Sequence, residues 1–125
     1  MRNVSFVAAA VLGVVFAVPA MAQDPSKVDA KHYKVEFEND QVRVLRIKYG
    51  PKEKSVLHEH PGAVAVFLTD GNVKFTLADG KTRDSAVKAG TSQWTPAGKH
   101  LPENMSDKPF ELVLVEVKAK AAKGK

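Results

Sequence analysis

A single all-β domain, a sandwich or barrel of short antiparallel strands, is the fold this sequence predicts, and three observations carry the prediction. Short apolar or alternating runs follow one another from Val35 to Val117. Turn residues separate them at fairly even intervals: Gly50-Pro51, Pro61-Gly62, Asp70-Gly71, Asp79-Gly80, Gly90 and Pro96-Ala97-Gly98. Strands at such spacing mark sandwiches and barrels. The third observation is that no stretch carries the long apolar repeat of an amphipathic helix.

In chain order, the first element is a leader. Arg2 precedes an apolar run from Val4 to Val18, and Pro19-Ala20-Met21-Ala22 follows, with small residues at the first and third of its last three places. The pattern reads as a secretory signal peptide over residues 1–22, cleaved after Ala22, since the run is shorter than the ~20 residues of a spanning helix. The mature chain is then exported, to the periplasm or the extracellular space, without stable membrane insertion. Residues 23–33 are polar and read as a lead-in segment.

Residues 34–117 make the barrel. Its first strands are Val35–Phe37 and Val42–Tyr49, joined through Asn39-Asp40. Further on, Val73, Phe75 and Leu77 alternate with Asn72, Lys74 and Thr76, giving one buried and one wet face. Asp70-Gly71 and Asp79-Gly80 bracket that strand as tight hairpin turns, where glycine accepts positive φ, and Lys81 to Lys88 returns antiparallel. Ala63 to Leu68 and Phe110 to Val117 are almost continuously apolar, as in strands covered on both faces. A second subunit packed on the outer sheet would cover them, so a homodimer is expected. Residues 118–125, with Lys118, Lys120, Lys123 and Lys125, read as a basic, disordered tail.

Composition then excludes several classes of function. The chain has no cysteine, so thiolate nucleophiles, disulfides and cysteine metal ligands are ruled out. The net charge of +5 comes from the leader and tail, because between Gln23 and Val117 basic and acidic residues balance at 14 each. No basic stripe with interleaved aromatics is present, so a nucleic-acid partner is not expected. Gly80-Lys81-Thr82 lacks the glycine-rich approach of a phosphate loop and reads as a hairpin.

Chemistry concentrates at His58-Glu59-His60-Pro61-Gly62. Side chains two apart on a strand share a face, so His58 and His60 present two imidazoles to one side, the start of a metal site. A third nitrogen must come from His32 or from His100. His32 reads as a surface or satisfied core residue. Glu59 alternates away from the pair and reads as a solvated charge, and Glu103 as an exposed loop carboxylate. Gln93 and Trp94 alternate, so at most one faces inward. Trp94 is expected in the core, with Phe67, Phe75 and Leu114 as core or pocket wall.

His58-x-His60, eleven residues before Gly71, followed by Gly90-x5-Pro96-x-Gly98-x-His100-x3-Asn104, resembles the two motifs of the cupin family. The likeness covers roughly Val35 to Val117. It implies a small double-stranded β-helix, a jelly-roll barrel that is often dimeric, with one divalent metal held by His58, His60 and His100. Two departures stand out. The motif glutamate, four residues after the second histidine and seven before the glycine, falls on Val64; and only Lys99 separates Gly98 from His100, where two residues are common.

Three neutral imidazoles suit a divalent transition metal (Zn, Fe, Ni, Cu or Mn) better than Mg or Ca, and leave coordination positions open. The resemblance implies a metal-dependent dioxygenase or related enzyme acting on a small organic molecule, some dioxygenases of the family being similar in using three histidines without the glutamate. The alternative is a non-catalytic module that binds a metal or small molecule.

Overall fold

A computed structural model of the protein describes residues 23–119; the leader and residues 120–125 of the tail lie outside them. A four-residue helix α1 (Pro25–Val28) is followed by nine strands: β1 (Tyr33–Glu38), β2 (Val42–Tyr49), β3 (His58–His60), β4 (Ala63–Phe67), β5 (Gly71–Leu77), β6 (Thr82–Val87), β7 (Ser92–Thr95), β8 (Gly98–Asn104) and β9 (Phe110–Val117). They form two antiparallel sheets, one ordered β1-β2-β9-β4-β7 and the other β3-β8-β5-β6. After β2 the chain passes repeatedly between the sheets. This makes the jelly roll that the turn spacing and motifs implied.

Strand alternation decides what lies between the sheets. Leu45, Ile47 and Tyr49 of β2, Ala63, Ala65 and Phe67 of β4, and Phe110, Leu112 and Leu114 of β9 are buried with Val73 of β5 and Val87 of β6. The same alternation turns Val64, Val66, Val113 and Val115 outward, where they are only half-buried. Among the described residues the apolar runs of β4 and β9 are thus fully covered on one face and half-covered on the other.

The two predicted hairpin turns part company. Asp79-Gly80 does join β5 to β6; Gly80 sits at φ +86° and its N–H donates to the Leu77 carbonyl at 2.9 Å. Asp70-Gly71 makes no hairpin, because β4 pairs with β7 and β9 and the chain crosses there to the other sheet. Gly71 serves space instead. A Cβ on it would lie 2.5 Å from the Phe110 ring.

The polar lead-in is built into the barrel. Pro25 of α1 is fully buried, and the Gln23 carbonyl accepts the Glu59 N–H at 2.9 Å, between the two histidines of β3. Arg43 fastens this segment, donating to both Asp24 oxygens at 2.6 and 3.0 Å and through Nε to Glu116 at 2.6 Å. Burial works against the Asp24 charge, but the bonds from Arg43 and Ser26 outweigh it and hold the carboxyl down at about 2.

Candidate metal and ligand site

The pairing of β3 with β8 brings the three predicted histidines together. His58 and His100 are register partners, and His60 faces Gly98, whose missing side chain leaves room beside it. With one residue between them, Gly98 and His100 fall on the same face of β8, so the shortened motif suits the strand's alternation. The ring centroids of His58 and His100 lie 4.9 Å apart, those of His60 and His100 4.5 Å, and those of His58 and His60 6.4 Å. His58 and His60 are buried and His100 half-buried.

Two of the rings have their orientation fixed from behind. His58 Nδ1–H donates to the Val56 carbonyl at 2.9 Å, and His60 Nδ1–H to the Pro61 carbonyl at 2.8 Å. A carbonyl only accepts, so the proton sits on Nδ1 and Nε2 keeps its lone pair. That is the tautomer a metal ligand needs. Burial lowers the His58 pKa, and burial followed by its histidine neighbours and Arg83 lowers that of His100 to about 3. The Tyr33 hydroxyl stands 3.4 Å from His58 Nε2 and bonds the Tyr49 hydroxyl at 2.5 Å. As the side chains stand, no three His, Cys, Asp or Glu among the described residues are grouped to hold a metal ion. The donor chemistry fits a nitrogen-preferring ion; the side-chain grouping does not yet form its cage.

Around the histidines lies a cavity of about 60 Å³. Its wall is mostly apolar, with Phe67, Phe75, Val73 and Leu114 prominent, and among the described residues no carboxylate lines it. Val64, where the motif glutamate was counted, faces outward. The inward neighbour is Ala65, and its cross-strand partner Gln93 lines the cavity.

The remaining candidates sort by strand face. His32 is a satisfied core histidine: buried, stacked on Tyr49 and bonded through Nδ1 to Asp29 at 2.8 Å. Asp29 also accepts from Ser55 Oγ at 2.6 Å, and that hydroxyl lies 3.3 Å from His58 Nδ1. Glu103 is on strand β8, not in a loop, and alternates away from the cavity. Trp94 contradicts the expectation of a core residue. It is 58% exposed on the outer face of edge strand β7, lying over Gly62, and only its neighbour Gln93 looks inward. Tyr33, Tyr49 and Pro25 also line the cavity and were missed, since nothing local in the sequence ties the lead-in to the histidine strand.

The comparisons agree with this architecture. A cupin domain model matches residues 45–116. A cupin domain from Bordetella pertussis is 29% identical, with a TM-score of 0.65, covering 70% of this chain and 92% of that one. A double-stranded β-helix protein from Klebsiella pneumoniae (22% identity, TM-score 0.57, 72% of this chain and 78% of that) shares the fold. So does a cupin 2 conserved barrel protein from Salinispora arenicola (20% identity, TM-score 0.55, 74% and 81%). No curated protein matches significantly. With its domain match spanning both histidine segments and its strands wound as a double-stranded β-helix, the chain belongs to the cupin family.

Proposed function

We propose that this cupin is exported and binds one divalent transition metal through His58, His60 and His100, presenting it to a small organic molecule in the apolar cavity. The observation that carries the reading is the pair of Nδ1–H bonds to Val56 and Pro61, which leave Nε2 of His58 and His60 as lone-pair donors beside a neutral His100. Three neutral nitrogens without a carboxylate favour Zn, Fe, Ni, Cu or Mn. When bound, such an ion supplies Lewis acidity or, for iron and copper, dioxygen chemistry.

The chain's own residues do the rest. Phe67, Phe75 and Leu114 exclude water and accept an apolar body, while Gln93 and Tyr33 offer polar contacts. On this reading the protein is a dioxygenase or related enzyme. A specific observation favours a second reading, non-catalytic binding: among the described residues no Asp or Glu lines the cavity to act as general base. The test is dioxygen uptake and product detection by mass spectrometry on a panel of phenols, diketones and thiols with iron-, copper- or nickel-loaded protein. Turnover lost in His58→Ala supports the enzyme; metal bound with no product across the panel supports the binding module.

Export is supported by Arg2, the apolar run Val4 to Val18 and small residues at Ala20 and Ala22. A homodimer is supported by the half-buried apolar outer face of β4 and β9.

A further inference from the structure

Arg83 has no role in the reading so far, and its surroundings set it apart. Arg43 and Arg46, the other arginines among the described residues, are each held by two carboxylates: Asp24 and Glu116 for one, Glu36 and Glu111 for the other. Among the described residues Arg83 has no such partner; its guanidinium carbon lies 5.4 Å from the centroid of Phe75. Phe75 lines the cavity and stacks on His100, with centroids 5.0 Å apart and planes 27° from parallel. The Phe75 ring therefore touches the histidine cluster through His100 and carries the Arg83 cation over it.

The position follows from register. Arg83 pairs with Phe75 and Ser85 with Val73, so the inward side of β6 runs from Val87 through Ser85 to Arg83. Val87 and Ser85 line the cavity. Along this strand the cavity wall changes from apolar to hydroxyl, and beyond it Arg83 stands exposed on an edge strand, over the ring of the cavity-lining Phe75.

We propose that Arg83 is the anion anchor of this site, and that the ligand is a small molecule with an apolar body and a carboxylate. The apolar part enters the cavity, while the carboxylate takes the planar fork of donors that the guanidinium over Phe75 presents. A cation stacked on an aromatic ring keeps its edge-on N–H groups free for such a partner. The cavity is small, so the ligand's charged end projects beyond it, on the side where Arg83 stands over Phe75. The proposal deepens the ligand-binding reading given above and rests on that cavity being the site.

The test uses metal-free, chelator-treated protein, so that a carboxylate cannot gain from a metal. Butanoate and butanamide, then benzoate and benzamide, are titrated by ligand-observed NMR against wild type, Arg83→Gln and Arg83→Lys, with inorganic phosphate as a further arm. Wild type is expected to prefer each carboxylate over its amide at least tenfold. Arg83→Gln removes that preference without weakening amide binding, and Arg83→Lys, which keeps charge but not the fork, falls between. Equal binding of acid and amide by wild type, no carboxylate binding at all, or a preference that survives in Arg83→Gln overturns the proposal. So does phosphate binding that depends on Arg83 while the carboxylates are ignored. Metal content of the same proteins, measured before chelation, separates the two claims. A wild type without metal sinks the metal reading, and the acid-to-amide ratio still decides Arg83.

Discussion

His100 has two histidine rings within 5 Å and is held neutral mainly by burial, with a pKa near 3. In the unfolded chain it regains its ordinary value near 6.5. Between those values the unfolded state binds more protons than the folded one, so stability rises with pH across the window and is lost as acid is added. Metal-free protein should therefore melt at falling temperature as pH is lowered from 6.5 toward 3, and His100→Gln should flatten that slope. Equal slopes in the two proteins would contradict the burial argument. Gly71 gives a second prediction at this scale. Its missing side chain makes room for Phe110, so Gly71→Ala should cost about 1–3 kcal/mol by overpacking, measured by urea denaturation. Gly71→Ala with Phe110→Leu should recover part of the loss.

At the scale of elements, the histidine strand β3 depends on neighbours far away in sequence. Arg43 ties β2 to the N-terminal segment through Asp24 and to β9 through Glu116, which is 2% exposed and has one oxygen, Oε2, without a partner. Arg43→Met leaves a buried carboxylate unpaired and should cost roughly 3–5 kcal/mol. Adding Glu116→Leu should restore most of it; a double variant no more stable than the single one would show that the pairing is not the cause. What the sequence makes legible ends about here. Strands β2 and β6 and the turn at Gly80 are local signals that form as read, and in the alternation of β5 Val73 is buried and Phe75 half-buried, while Leu77, at the strand's end, is exposed and not buried as expected. Sheet membership is not local: Asp70-Gly71 resembles a hairpin turn until β4 is seen to pair with β9. Pro25 is buried by the docking of a polar segment that has no period of its own. Trp94 looks like core by size, yet sits outward on an edge strand and is more than half exposed. The histidine cluster was legible because two short motifs name it; Gln93 and Tyr33 reach the cavity, and Arg83 the Phe75 ring, through register and carry no motif.

For the whole molecule, one row of side chains crosses the outer face of the five-stranded sheet. Phe37 pairs with Val44, Val44 with Val115, Val115 with Val64 and Val64 with Trp94. All five are apolar, and the end members, Phe37 and Trp94, are 54% and 58% exposed. Contiguous apolar faces of this kind mark interaction surfaces. Sedimentation should give twice the chain mass for wild type and the chain mass for Val115→Lys, with the same fold by circular dichroism; a monomeric wild type would remove the dimer from the account. Such a dimer would leave the histidine cavity untouched, because Val115 and Val64 point away from it. The central claim is that three imidazoles from β3 and β8 hold one ion per chain. Elemental analysis of purified wild type and His100→Ala tests it most directly. The account predicts about one equivalent of transition metal in wild type and a loss of most of it in the variant; wild type without metal, its melting temperature unmoved by added Zn, Ni, Fe or Cu, would contradict it.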